Sequence, residues 1–262
     1  MTNYGIRAIG VLLVILMGSV RCGPIRGQQA HFDPTFEKYI SSDALAITEF
    51  QLGKLSQTLF FKRNQTQLRT ALPIADADRT LLVWNGRELL IAQKTASSER
   101  VRLTGAPALV QRAGALAKAG TGKLPDELAE PLAFLPPADQ IRMLVLGLPV
   151  EGLNLPSEYA SLLANFRGHI RRSAIGVEAQ TGLRLRARID CFSEQGSQRV
   201  DVALRAARGL GKLSAMQKSP LEARLYDALE IRREGTSVFV DAYLPPDLSD
   251  YLVRRALPGA HH

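Results

Sequence analysis

The stretch from Ser173 to Phe192 constrains the fold more than any other part of the chain, because its second half alternates strictly between apolar and polar side chains. Successive side chains of a β-strand point to opposite faces, so this alternation predicts a strand with one buried and one wet face. A weaker strand, Ala174–Gln180, precedes it, and Thr181-Gly182 fits a tight turn. The two strands predict a β-hairpin. Its apolar face would carry Leu183, Leu185, Ala187, Ile189 and Cys191, and its other face Arg184, Arg186, Arg188, Asp190 and Phe192.

Three further patterns predict regular structure elsewhere. Asn85-Gly86 between two apolar runs, Thr80–Trp84 and Glu88–Gln93, is typical of a second hairpin. Pro107–Ala119 has proline in its first turn and apolar residues at helical spacing. Ile141–Leu148 is a nearly continuous apolar run of the length of a buried strand.

A long helix is predicted near Ser197–Met216. We expect its cations to line the wet side and its apolar residues to form one buried stripe. The wet side would carry Arg205, Arg208 and Lys212, and the buried stripe Val200, Ala203, Leu204, Ala207, Leu210 and Leu213.

The segment Ala119–Pro137 is rich in glycine and proline and predicts a boundary between two halves. We expect an N-terminal half over 31–122, a connector over 123–139 and a C-terminal half over 140–258. Each half reads strand, short helix, hairpin, helix, which suggests two similar units. The predicted fold class is α+β, with antiparallel sheets, helices packed on one face and the Arg-rich face open.

The first thirty residues are typical of a bacterial signal peptide. Arg7 supplies a positive charge, and the apolar run Ala8–Val20 is thirteen residues long, too short for a comfortable membrane span. We therefore predict export to the periplasm or beyond. Lipidation of Cys22 is the alternative anchor, although Arg21 stands where a lipoprotein signal has a small residue.

The formal net charge of +8 is unevenly distributed. Residues 167–188 carry six arginines and one acid, Glu178, whereas the chain on either side is balanced once the predicted signal is set aside. Arginine suits bidentate contact with phosphate or carboxylate. Two interpretations stay open: a solvated sheet face whose arginines pair with acids from elsewhere, or an anion-binding surface. The second assigns Arg171, Arg172, Arg184, Arg186 and Arg188 to the site.

Candidate catalytic residues are few. Cys191 falls on the apolar face of its strand and at the far end of the hairpin from His169, so a nucleophile and base pair is not expected. Asp76 and Asp78 could bind a metal through two carboxylates, but their position before a hairpin strand favours a polar turn. Gly120-Thr121-Gly122-Lys123 lacks the first glycine and the hydroxyl residue of a phosphate-binding loop.

These observations favour an exported envelope protein with a non-enzymatic binding or scaffolding role. Its expected partners are anionic lipid headgroups, acidic glycans or an envelope protein, with any membrane contact peripheral. We predict no cofactor and no metal. We also predict no nucleic acid as a partner, because aromatic residues do not interleave with the arginines. The alternative is a metal-dependent or hydrolase-like enzyme around Asp76, Asp78 or His169.

Overall fold

The fold is described from a computed structural model, which describes residues 32–71, 77–98, 100–147, 166, 168–217 and 219–257. The predicted signal segment, Cys22 and Asp76 lie outside these residues. The strands are β1 (Ala46–Phe50), β2 (Arg79–Trp84), β3 (Leu89–Lys94), β4 (Val101–Thr104), β5 (Ile141–Leu146), β6 (Ile170–Ala179), β7 (Leu183–Cys191), β8 (Glu230–Glu234) and β9 (Ser237–Leu244). The helices are α1 (Pro34–Glu37), α2 (Leu52–Gln57), α3 (Leu59–Arg63), α4 (Gln65–Ala71), α5 (Pro107–Ala119), α6 (Asp126–Phe134), α7 (Glu194–Met216), α8 (Pro220–Asp227) and α9 (Pro246–Ala256).

The central hairpin is confirmed. β6 and β7 pair antiparallel from Ala179↔Leu183 to Ile170↔Cys191, with a register shift between Ile170 and Arg172. The hairpin starts earlier than the sequence predicted, because β6 begins at Ile170 rather than Ala174.

One nine-stranded sheet contains all the described strands, in the order β4-β3-β2-β1-β5-β6-β7-β9-β8. Every neighbouring pair is antiparallel, which confirms the α+β class. The strands before the predicted connector occupy one side of the sheet and those after it the other. The two sides meet where β1 pairs with β5, from Ala46↔Val145 to Phe50↔Ile141.

Two other local predictions, the hairpin at Asn85-Gly86 and the helix that begins at Pro107, are also confirmed. β2 and β3 form the hairpin around Asn85-Gly86, where Gly86 has a φ of 95° and Asn85 Oδ1 accepts from the backbone amides of Arg87 and Glu88. α5 begins at Pro107 and ends at Gly120 in the left-handed conformation, which glycine adopts without a steric penalty.

Helices pack on both faces of the sheet, not on one. On one face, Leu144 of β5 and Ala174 of β6 join a cluster with Leu128 and Leu132 of α6. On the opposite face, Ala187 of β7 joins a cluster with residues of α7 such as Val200. The sequence indicated only part of this burial, because the central strands are buried on both faces, as β1 is at every position although it contains Thr48 and Glu49.

The connector is more ordered than its composition suggested. It contains α6, which holds Pro131 within the helix and buries Leu128 and Leu132. Gly122 also packs tightly, since a Cβ at that position would come within 1.9 Å of the Lys38 carbonyl oxygen. The polar run Lys62–Arg69 buries Asn64 and Leu68.

None of the helices in the described ranges has the length and apolar character needed to cross a membrane.

Candidate functional site

The predicted arginine cluster lies on the sheet face that α6 covers. Strand alternation places Arg184, Arg186 and Arg188 of β7 on this face. Arg172 joins them because it stands opposite Asp190 in the β6–β7 register. The arrangement therefore brings together residues from two strands and from the connector.

Arg172 and Arg188 converge on two carboxylates. Arg172 Nε lies 2.7 Å from Asp190 Oδ2, and Arg188 Nε lies 2.8 Å from Asp190 Oδ1. Arg188 Nη2 is 2.6 Å from Glu130 Oε1 of α6, and Arg172 also pairs with Glu130. The Ser237 hydroxyl donates to Asp190 at 2.7 Å. Two cations and two anions thus neutralise each other where α6 meets the sheet.

Arg186 forms a second, deeper pair. Its side chain is nearly inaccessible, with the residue 5% exposed, and it contacts Asp139 of the connector and Glu178 of β6. The Glu178 contact is 2.8 Å long. The predicted open position is therefore buried, because the connector folds back onto the strand.

The remaining two arginines lie nearer the surface. Arg171 is exposed and pairs with Glu127 of α6 at 3.3 Å. Arg184 lies over the ring of Tyr243, 6.0 Å from its centroid. Glu127 and Glu130 of α6 are both directed toward the arginines.

The pKa values of the carboxyl groups follow from this burial and pairing. Burial raises the pKa of Asp139 to about 6, against the opposing effect of Arg186. For Asp190, burial also acts to raise the pKa, but hydrogen bonds from Ser237, Arg172 and Arg188 outweigh it and the pKa is lowered. The hydrogen bond from Arg188 lowers the pKa of Glu130.

A further arginine–carboxylate pair lies on the same face, outside the segment that the charge count identified. Arg142 of β5 pairs with Glu49, its register partner on β1, and both side chains are almost fully buried. The guanidinium also lies 5.6 Å from the ring centroid of Phe32. Arg142 interrupts the apolar run Ile141–Leu148 in the sequence, and the β1–β5 register brings its partner Glu49 to it.

The structure separates the candidate catalytic residues Asp78 and His169. Asp78 precedes β2, at the sheet end where Phe50 pairs with Ile141. His169 precedes β6, at the other end of β5, so the two ends are about 17 Å apart along the strand. They cannot share one reacting atom.

The expected separation of His169 from Cys191 is wrong, because the antiparallel register places Cys191 opposite Ile170. Proximity does not activate the thiol. Cys191 is 5% exposed and packs in the core, and burial, with a smaller contribution from Asp190, raises the pKa of its thiol to about 11. His169 Nε2 lies 3.2 Å from Arg199 Nη1.

Across the part of the chain that the structure describes, no cluster of three or more histidine, cysteine or acidic side chains could hold a metal ion. Asp78, the described member of the predicted carboxylate pair, has the guanidinium of Arg79 at 3.9 Å.

The outer surface of α7 is apolar, which the sequence patterns above did not predict. Four large apolar side chains of this helix are exposed: Val202 (58%), Leu210 (69%), Leu213 (64%) and Met216 (62%). Leu210 and Leu213 were expected in the buried stripe. The buried contacts of α7 instead come from residues such as Val200 and Ala215. A signal was present in the sequence, because Val202, Ala206, Gly209 and Leu213 form a second apolar stripe on the helix.

No protein-family model, curated protein or solved structure matches the chain.

Proposed function

We propose that this chain is an exported envelope protein with a non-enzymatic binding or scaffolding role, and that it contacts its partner through the outer face of α7. One observation carries the proposal: Val202, Leu210, Leu213 and Met216 are each more than half exposed on a single helix. Contiguous exposed apolar surface of this kind marks interaction sites in soluble proteins. The candidate partners remain anionic lipid headgroups, acidic glycans or an envelope protein.

The arginine cluster is a weaker candidate for the contact surface. Arg172, Arg186 and Arg188 each contact two carboxylates of the same chain. An anionic ligand would have to displace those carboxylates. The cluster therefore suits an architectural role, fixing α6 and the connector on the sheet.

Export is supported by the sequence alone. Arg7 followed by the apolar run Ala8–Val20 is the pattern that directs a chain across a bacterial inner membrane. Fusing residues 1–30 to a reporter that is active only outside the cytoplasm should give activity. A reporter that stays cytoplasmic would overturn the proposed location.

The enzyme alternative has less support. Asp78 and His169 lie at opposite ends of the sheet's strands, and the Cys191 thiol is buried. Catalysis needs titratable groups that converge on one site.

A complementation experiment tests the binding role. In a strain that lacks this gene, we expect wild type to restore growth or envelope integrity and the double variant Leu210→Gln, Leu213→Gln to fail. The matched control Leu59→Gln changes a leucine that is 55% exposed on α3 and should complement fully. The double variant Asp78→Asn, His169→Gln should also complement. Complementation by the α7 variant, or its loss in the Asp78/His169 variant, would overturn the proposal.

A further inference from the structure

The outer face of α7 is a continuous apolar stripe. At about 100° per residue, Val202, Ala206, Gly209 and Leu213 fall within roughly 60° of one another around the helix, and Leu210 and Met216 lie at the two margins. From residue 202 to residue 216 the stripe runs about 21 Å along the axis. The opposite side faces the protein, where Val200 is 1% exposed. α7 is therefore anchored by one side and offers an apolar ridge on the other.

The charged residues of α7 that follow Asp201 are all positive. From residue 202 to residue 217 the chain carries Arg205, Arg208 and Lys212 and no acid; Arg205 and Lys212 lie beside one margin of the stripe, and Arg208 lies nearer the side that faces the protein. Arg208 donates to the Tyr226 carbonyl, a neutral acceptor, at 2.9 Å. Arg205 and Lys212 have acidic partners from Asp201 and Asp227 and are still about half exposed. Long cationic side chains can keep their charge in water beside an apolar surface.

We propose that the outer face of α7 lies on the surface of an anionic lipid bilayer. This inference rests on the proposed function, since it names the partner of the same face. An interfacial helix buries its apolar side chains at the boundary between headgroups and acyl chains, while flanking lysine and arginine residues meet anionic headgroups. Leu210, Leu213 and Met216 would enter that boundary, and Arg205 and Lys212, the cations beside the stripe, would meet the phosphates.

Two features favour a bilayer over a second copy of the chain. Pairing α7 with its own copy antiparallel about Gly209 would bring Arg205 near Lys212 of the partner helix, and like charges oppose such contact. The stripe also comprises about six residues, whereas a stable protein interface uses some 20–30 residues a side. An anionic membrane fits both the charge and the small area, because many copies bind one surface without a matching partner face.

Vesicle sedimentation with the full-length protein tests the inference. We expect binding to vesicles of phosphatidylglycerol and phosphatidylcholine to be about tenfold or more tighter than to phosphatidylcholine alone, and to weaken as salt is raised. Leu210→Gln with Leu213→Gln should reduce binding at least tenfold, and Leu59→Gln should leave it unchanged. Any affinity due to residues 1–30 is common to all these variants.

A second measurement does not depend on weakening the helix. Leu213→Trp should shift its fluorescence to the blue on addition of anionic vesicles, and Leu59→Trp should not. The inference is overturned if wild type ignores anionic vesicles at low salt, or if the Leu210/Leu213 variant binds them as wild type does. If the Leu210/Leu213 variant fails to complement and wild type binds no vesicles, α7 remains the contact face but its partner is a protein. Dimerisation of wild type that the same variant abolishes would assign the face to a second copy.

Discussion

Arg186 and Asp139 form a buried ion pair although they stand 47 positions apart in the chain. Their contact crosses Gly176, which pairs with Arg186 in the sheet register. A Cβ at Gly176 would come within 2.1 Å of Asp139 Oδ2, so glycine at this position lets the carboxylate reach the sheet. The end of the connector is thereby fixed to the centre of β7.

Replacing Arg186 with glutamine should destabilise the protein by about 3–5 kcal/mol, because Asp139 and Glu178 would remain without their cation. Chemical denaturation at pH 7 measures the change. Arg102→Gln on β4 is the matched control: this arginine is exposed on a strand, and its replacement should change the free energy of unfolding by no more than about 0.5 kcal/mol. Equal effects of the two substitutions would mean that the buried pair contributes nothing specific.

Asp139 should give stability a pH dependence of unusual sign. Its folded pKa of about 6 lies above the ordinary value of 3.8, so between these values the folded state holds more protons than the unfolded state. The contribution is complete below about pH 4 and is lost as the pH rises through 6, by up to about 3 kcal/mol. We therefore expect wild type to gain stability relative to Asp139→Asn as the pH falls from 6 to 4.

Denaturation of both proteins at several pH values in this window checks the prediction. Asp190 and Glu130 have lowered pKa values and act with the opposite sign, so their contributions are lost as the pH falls below about 4. They are present in both proteins and should cancel in the comparison. A wild-type advantage that shrinks between pH 6 and pH 4 would show that Arg186 outweighs burial at Asp139.

Two glycines of α7 should respond oppositely to alanine. A Cβ at Gly211 would come within 2.3 Å of the Tyr226 ring of α8, so Gly211→Ala should loosen the packing of α7 on α8 and lower the melting temperature. A Cβ at Gly209 would meet nothing within 4 Å, and alanine is the better helix former, so Gly209→Ala should stabilise by up to about 1 kcal/mol. Thermal unfolding of the pair separates packing from helix propensity within one helix.

Cys191 should not react with a thiol reagent in the folded protein at pH 8. The side chain is 5% exposed, so a reagent has little access to it. Burial raises the pKa of the thiol to about 11, so only a small fraction is present as the reactive thiolate at pH 8. The measurement uses Cys22→Ser in the full chain, which leaves Cys191 as its single cysteine. Reaction should appear only when denaturant is added, and rapid reaction without denaturant would contradict the buried position.

The sequence by itself determined the elements whose causes are local. Alternation over 183–191 specified β7 and its two faces, since the pleat repeats every two residues. Asn85-Gly86 specified the β2–β3 turn, and Pro107 with Gly120 bounded α5. In each case the physical constraint acts between residues a few positions apart.

Tertiary structure alone decided what covers each surface. Alternation places Arg186 on a face but cannot show that Asp139 will reach it, because that contact depends on the path of the connector. The same holds for α7, which has two apolar stripes at helical spacing: Val200 is buried and Leu213 is exposed. Periodicity identifies both stripes, and which one meets the sheet depends on long-range packing that no local pattern encodes.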